Sequence, residues 1–197
     1  SNVEVARMML EGGARVIQYR EKDKTGIQKY RDCVAIRDAM TACDAVFIVN
    51  DDADIAIAVD ADGVHIGQDD MPIEAVRDVA GDGMIIGLST HSPAQAVDAE
   101  RRGADYIGAG PLFRTFTKKN ICDPVGLGYL EFAVRSVSIP VVAIGGIKED
   151  NLGTVLSHGA RTICMVTAVT SSHDIPHTVS SLIEVIGSCS TNAVRPD

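Results

Sequence analysis

An α/β fold built on a parallel sheet is what this sequence predicts, and three observations carry the prediction. Short apolar runs rich in Val and Ile alternate with longer segments of helical periodicity, seven times in succession. The runs are continuously apolar, as strands covered on both faces are. Nearly every run ends in a polar residue, a glycine pair or a charge: Gln18–Lys22, Asn50-Asp51, Gln68–Asp70, Ser89, Thr115–Lys118, Gly145-Gly146 and Thr167. Two architectures accommodate such a pattern, an open doubly wound sheet and a (β/α)8 barrel. The first gathers its ligand groups at one switch point, whereas groups from every strand meet only at the C-terminal face of a barrel. The expectation is therefore a (β/α)8 TIM barrel whose first strand is missing from this chain, which leaves two sheet edges open.

Each element has its own signal. A helix capped by Asn2 runs through Met8-Met9-Leu10 and stops at Gly12-Gly13. Arg15–Tyr19 reads as a strand and Ile27 to about Ala42 as a helix. The strand Ala45–Val49 is followed by a short helix through Ile55 and Ala58, and then by the strand Gly63–Ile66. Pro72 opens a helix to Ala80, where its missing N–H costs little. Met84–Leu88 is a strand, and Ser92-Pro93 starts a helix through Arg102. The strand Ala104–Ile107 empties into the loop Gly108–Lys119, and a helix follows near Gly128–Val137. Strand Val141–Ile144, helix Asp150–Ser157, strand Thr162–Val166 and a helix from Ile175 to Ile186 complete the series. One domain over residues 1–187 is expected, with 188–197 a Ser/Thr/Asn-containing flexible tail.

Composition narrows the function classes. The 197 residues are 46% hydrophobic and 23% charged, a packed globule rather than a disordered chain. A net charge of −9, with no Trp and few aromatics, speaks against nucleic-acid and anionic-membrane surfaces. The five cysteines are odd in number and contain no C-x-x-C pair, which fits thiols in a reducing cytoplasm rather than a disulfide frame or zinc site. Apolar runs are too short to cross a bilayer. Oligomeric state is left open, a homo-oligomer being allowed.

The chemistry sits at the strand ends. The loop Gly108–Lys119 offers glycines for close approach, the hydroxyls of Thr115 and Thr117, and Lys118 as a point charge, an inventory suited to phosphate or pyrophosphate. Gln18, Arg20 and Lys22 alternate at strand spacing and point the same way; two inward cations call for an anionic ligand unless rim carboxylates such as Glu21 and Asp23 neutralise them. Asp51 and Asp70 end neighbouring strands and could hold one Mg²⁺ that completes its shell with ligand phosphates. Helix capping is the simpler role for such acids, and is expected for Asp52 and Asp69. Gly145-Gly146 and Thr167 stand where barrels cradle a phosphate. His173 and His177 are set aside as a metal pair, His65 reads as a satisfied core histidine, and Ser89 has no nucleophile-elbow context.

Taken together, Val16–Lys22, Val49–Asp52, Asp62–Asp70, Gly87–His91, Gly103–Pro111, Thr115–Lys118 and Ala143–Ile147 resemble, in order, the motifs of the thiamine-phosphate synthase (thiamine-phosphate pyrophosphorylase) family. The resemblance covers Gly12 to Val169. It implies a (β/α)8 barrel that joins a hydroxymethylpyrimidine diphosphate to a thiazole phosphate with Mg²⁺, releasing pyrophosphate before the thiazole nitrogen captures a pyrimidinylmethyl cation. Carried over residue by residue, it implies that Gln18, Arg20, Lys22, Asn50, Ser89 and Lys118 hold the pyrimidine diphosphate. Lys118, Arg20, Lys22 and Ser89 would serve catalysis, and Asp51 and Asp70 would bind the metal. Thr115, Phe116, Thr117, Gly146, Val166 and Thr167 would meet the thiazole phosphate. Arg114 stands where the family commonly has proline, and Thr167 where it has serine. Two other readings stay open. A sister thiazole tautomerase shares the barrel but uses a loop histidine that this chain lacks after Ile107; a non-catalytic phosphate-ligand binder is the third.

Overall fold

A computed structural model describes residues 1–115 and 123–191 of the chain. Seven strands form one all-parallel sheet in the order β1-β2-β3-β4-β5-β6-β7, the order of the sequence. They are β1 Val16–Tyr19, β2 Val46–Asn50, β3 Gly63–Ile66, β4 Ile85–Thr90, β5 Tyr106–Ala109, β6 Val141–Ile144 and β7 Thr162–Cys164. Helix α1, Asn2–Glu11, precedes β1, and each later strand is followed by helix: α2 Gly26–Met40, α3 Ala53–Ala58, α4 Ile73–Ala80, α5 Pro93–Arg101, α6 Gly126–Ser136, α7 Glu149–Ser157, then α8 Thr167–Thr170 and α9 Ile175–Thr191.

The sequential order removes the doubly wound alternative, whose strand order must reverse in the middle. The sheet is also curled. Laid flat, seven strands would put their outer edges roughly 29 Å apart at about 4.8 Å per spacing. Yet α1, which leads into β1, packs on α9, which follows β7: a Cβ on Gly12 would lie 2.6 Å from the Pro176 carbonyl oxygen. Among the described residues β1 and β7 remain edge strands.

Side-chain alternation divides the sheet into two unlike faces. Phe47, Val49, Val64, Ile66, Ile86, Leu88, Ile107, Ala109 and Ala143 face the helices. They form one apolar core with Ile36, Ala56, Val76, Ala96, Leu130, Leu152 and Val155. Burying a residue such as Phe47, which has no exposure at all, contributes about 2–3 kcal/mol. The other, concave face carries Gln18, Asn50, His65, Ser89 and Tyr106, so polar groups line the interior of the curl.

At the opposite end of the strands a device is used twice. Asp62, just before β3, accepts the backbone N–H of Phe47 on β2 at 2.7 Å and Arg37 of α2 at 3.0 Å. Asp105, just before β5, accepts the N–H of Ile86 on β4 and Arg77 of α4, both at 2.7 Å. Each carboxylate pins two strands and a helix together away from the rim.

Several local expectations are corrected. The cap of α1 is Ser1, whose Oγ accepts the Glu4 N–H; Asn2 is already helical and reaches Asp32. Asp52 occupies the cap position of α3 but makes no capping bond, because its carboxylate takes the Lys29 ammonium of α2 at 2.7 Å. Pro72 itself caps α4, and Asp69 does not. Helix α9 continues past Ile186 to Thr191, into the stretch expected to be flexible, and the short helix α8 was not anticipated.

Candidate active site

The turn after β2 builds one half of the site. The chain leaves the strand at Asn50, which is buried, and Asp51 adopts a positive φ of 63°, a conformation Asp tolerates better than most residues. Its N–H continues the sheet by donating to the His65 carbonyl at 2.8 Å. The backbone thereby fixes where the Asp51 carboxylate can reach. Asp70, beyond β3, is held by accepting the Gly67 N–H at 2.7 Å, and the two carboxyl groups hydrogen-bond each other.

The pair carries unequal charge. Burial would raise Asp51, but the Lys22 ammonium, the bond to Asp70 and the Arg20 charge outweigh it and hold the carboxyl below its ordinary value. Asp70 is pushed up by burial and by the Asp51 charge, against the opposing Gly67 N–H. Of the two, Asp70 therefore keeps its proton to the higher pH, as expected when like charges crowd together.

The cations come from the end of β1. Lys22 Nζ is in direct contact with Asp51 Oδ2, so the carboxylate partner of Lys22 is Asp51 rather than Glu21 or Asp23. Glu21 is instead committed to the backbone N–H groups of Lys22 and Asp23, at 2.9 and 3.0 Å. Arg20 Nε is buried with no hydrogen-bond partner, a state that ordinarily costs about 1–3 kcal/mol. The loop is braced from outside by Asp32 of α2, whose Oδ2 accepts Tyr19 Oη at 3.0 Å, Lys24 Nζ at 2.5 Å and Asn2 Nδ2 at 3.2 Å.

Deeper on the concave face, His65 stands between Tyr106 and Ser89, each 2.9 Å from one of its ring nitrogens. Gln68 Nε2 donates to the Ser89 carbonyl at 2.7 Å, tying the turn after β3 to β4. Sequence reasoning set His65 aside as core and overlooked Tyr106. The available signal was small residues on adjacent strands: Gly87 and Gly108 leave the space that the two rings fill.

The turn after β6 forms the other flank. Gly145 and Gly146 have φ of 98° and 68°, and added Cβ atoms would meet Pro111 Cα at 2.5 Å and the Arg114 carbonyl at 2.8 Å. The pair thus lets the segment after β5 close over β6, with the Leu112 and Phe113 N–H groups donating to Ile144 and Gly145 at 3.0 Å. Next to it, Thr167 and Lys148 help line an open cavity of about 480 Å³, and Val166 is exposed just before α8. Thr115 ends the first described stretch; Phe116, Thr117 and Lys118 lie outside the described residues. No cluster of three or more metal-ligating side chains occurs among the described residues, His173 and His177 included.

The curled parallel sheet with cations and paired acids at the strand ends defines an α/β protein with a charged rim at the C-terminal ends of its strands. The comparisons then specify which. The family model described as thiamine monophosphate synthase matches residues 1–169, and the chain belongs to this family. It is 56% identical over 186 residues to a thiamine-phosphate synthase of Pelotomaculum thermopropionicum, covering 94% of this chain and 85% of that one. It is 49% identical over 185 residues to one from Dictyoglomus thermophilum, covering 94% and 83%. The structure of a thiamine phosphate pyrophosphorylase from Pyrococcus furiosus superimposes with a TM-score of 0.89 at 41% identity, covering 96% of this chain and 91% of that one.

Proposed function

We propose that this chain is a thiamine-phosphate synthase, a transferase of thiamine biosynthesis. It condenses 4-amino-2-methyl-5-hydroxymethylpyrimidine diphosphate with a thiazole phosphate, giving thiamine phosphate and pyrophosphate. The observation that carries the reading is the meeting of Lys22, Arg20, Asp51 and Asp70 at one rim. Substitution by departure of a diphosphate needs no nucleophile and no general base; it needs fixed positive charge where negative charge develops. Arg20 and Lys22 supply that charge. The unpartnered Arg20 Nε has a donor to give to a phosphate oxygen. Gln18, Asn50 and Ser89 orient the pyrimidine diphosphate, and Lys118 adds a further cation. Thr115, Phe116, Thr117, Gly146, Val166 and Thr167 receive the thiazole phosphate.

Two crowded carboxyl groups that shift apart in acidity and attract an ammonium fit a divalent cation. Asp51 and Asp70 would hold Mg²⁺, which when bound neutralises charge on the leaving diphosphate. Two ligands suffice for an ion whose remaining positions go to water and phosphate.

The reading extends to a single (β/α)8-type domain over residues 1–187, working in the cytoplasm, with no disulfide among Cys33, Cys43 and Cys164. The experiment is direct. The purified chain is incubated with both substrates and Mg²⁺, and pyrophosphate is followed. Release that requires both substrates supports the synthase; conversion of a thiazole alone without pyrophosphate, or saturable binding without turnover, overturns it.

A further inference from the structure

Three polar side chains from three different strands form a line of hydrogen bonds on the concave face of the sheet. The hydroxyl of Tyr106 on β5 lies 2.9 Å from His65 Nδ1 on β3, and His65 Nε2 lies 2.9 Å from Ser89 Oγ on β4. The proposed function gives a substrate contact to Ser89 but nothing to the two rings behind it. The rings are held with centroids 5.4 Å apart and planes 34° from each other. Two glycines make their seats. A Cβ on Gly87 would fall within the Tyr106 ring, and one on Gly108 would lie 3.2 Å from His65 Cε1. His65 and Ser89 are both buried.

Donor and acceptor bookkeeping gives the line a direction. The acceptor that the Tyr106 hydroxyl meets among the described residues is His65 Nδ1 at 2.9 Å, which directs the phenolic hydrogen there. Burial raises the Tyr106 pKa, so the phenol keeps that hydrogen. A neutral imidazole that accepts at Nδ1 carries its proton on Nε2 and donates to Ser89 Oγ. With its oxygen engaged as an acceptor, Ser89 has its own O–H to give.

We propose that Tyr106 and His65 are positioning residues: they lock His65 as the Nε2–H tautomer and so make Ser89 a dedicated hydrogen-bond donor to a substrate phosphate oxygen. This rests on the reading of Ser89 as a ligand of the pyrimidine diphosphate. No proton is transferred in the proposed role. The line sets which atom donates before substrate arrives, so less ordering is left for the binding step.

The test has a spectroscopic and a kinetic arm. Long-range ¹H–¹⁵N correlation on the labelled chain reads which ring nitrogen of His65 bears the proton, with His65→Gln assigning the signal. The expected wild-type result is a single Nε2–H tautomer, and Tyr106→Phe, which keeps the ring but not the donor, gives a mixture of tautomers. Kinetically, Tyr106→Phe lowers kcat/KM for the pyrimidine diphosphate about 10-fold, the factor corresponding to about 1.4 kcal/mol, and leaves KM for the thiazole phosphate unchanged. His65→Gln, whose amide can replace the Nε2 donor, retains more activity than His65→Leu. An Nδ1–H tautomer or an imidazolium in the wild type at neutral pH overturns the proposal, as does an unchanged tautomer in Tyr106→Phe. Equal losses toward both substrates also overturn it. Absence of any pyrophosphate from the wild type defeats the proposed function instead, and the ring spectrum still decides the direction of the line.

Discussion

Asp51 and Asp70 share one hydrogen bond and divide their charge unequally, Asp51 lying below the usual carboxylate range and Asp70 above it. A lowered value stabilises the fold above the ordinary aspartate pKa of about 3.9, and that contribution disappears as pH falls through the Asp51 value. A raised value acts oppositely: the fold favours protonated Asp70, and stability declines as pH rises through the Asp70 value. Near the Asp70 value a cation bound between the two competes with the proton on Asp70. The apparent Mg²⁺ requirement for pyrophosphate release therefore increases as pH is lowered toward the Asp70 value and levels off well above it.

Asp70→Asn separates the two effects. The amide keeps a hydrogen bond to Asp51 and removes the repulsion, so thermal stability at neutral pH is equal to or above wild type. Activity falls by about 10²-fold or more, because charge on the leaving diphosphate is no longer neutralised. Thermal denaturation and a pyrophosphate assay on the same preparation check both halves; a variant of normal activity rejects the role.

Arg20 invites a different comparison. Its buried Nε lacks a partner, so the folded chain carries a donor that only a ligand can satisfy. Arg20→Met removes the unsatisfied group and preserves the apolar stem, so stability is unchanged or rises while activity drops by about 10²-fold. Arg20→Lys does not restore it, since an ammonium lacks the planar fork of donors. Full rescue by lysine would show that charge alone is used.

Much of this arrangement is legible in the chain itself because strand periodicity and strand ends are local properties. Val16–Tyr19 and Gly63–Ile66 declare themselves by composition, and the residues that follow them declare the rim. What could not be read are partnerships across the sheet. Lys22 choosing Asp51 over its neighbours Glu21 and Asp23 depends on the parallel pairing that sets the ends of β1 and β2 side by side. Asp52 looks like a cap from sequence, yet Lys29, 23 positions earlier, claims its carboxylate. His65 resembles a core residue because its partners, Tyr106 and Ser89, are 41 and 24 positions away.

Asp32 is the brace outside the rim, and its removal tests whether the loop after β1 is held from behind. Burial would raise this carboxyl, but bonds from Lys24, Tyr19 and Asn2 outweigh it and hold the pKa down. Asp32→Ala is expected to cost about 1–2 kcal/mol at neutral pH, chiefly by stranding the Tyr19 hydroxyl. Because the shift is downward, the charge-dependent part of the deficit is full above about pH 3.9 and is lost as pH falls through the lower Asp32 value. Denaturation curves of the two proteins across that window check it; a deficit independent of pH would assign the loss to packing alone.

The far end of the strands supplies the matching control. Asp62 accepts the N–H of fully buried Phe47 together with Arg37, so Asp62→Ala strands a backbone donor and a half-buried guanidinium at once. The expected loss is about 1–3 kcal/mol, seen as a melting temperature lower by roughly 2–4 °C for each kcal/mol in a chain of this size. The proposed ligand groups lie at the opposite, C-terminal ends of the strands, and placing stability at one face and chemistry at the other is the general division of labour in parallel α/β barrels. At a temperature where both proteins are folded, kcat/KM for pyrophosphate release in Asp62→Ala should equal that of wild type. A fall in kcat/KM beyond about 3-fold would mean that the lower end of β2 and β3 transmits its geometry to Asp51 and Asp70, and the two faces would then not be independent.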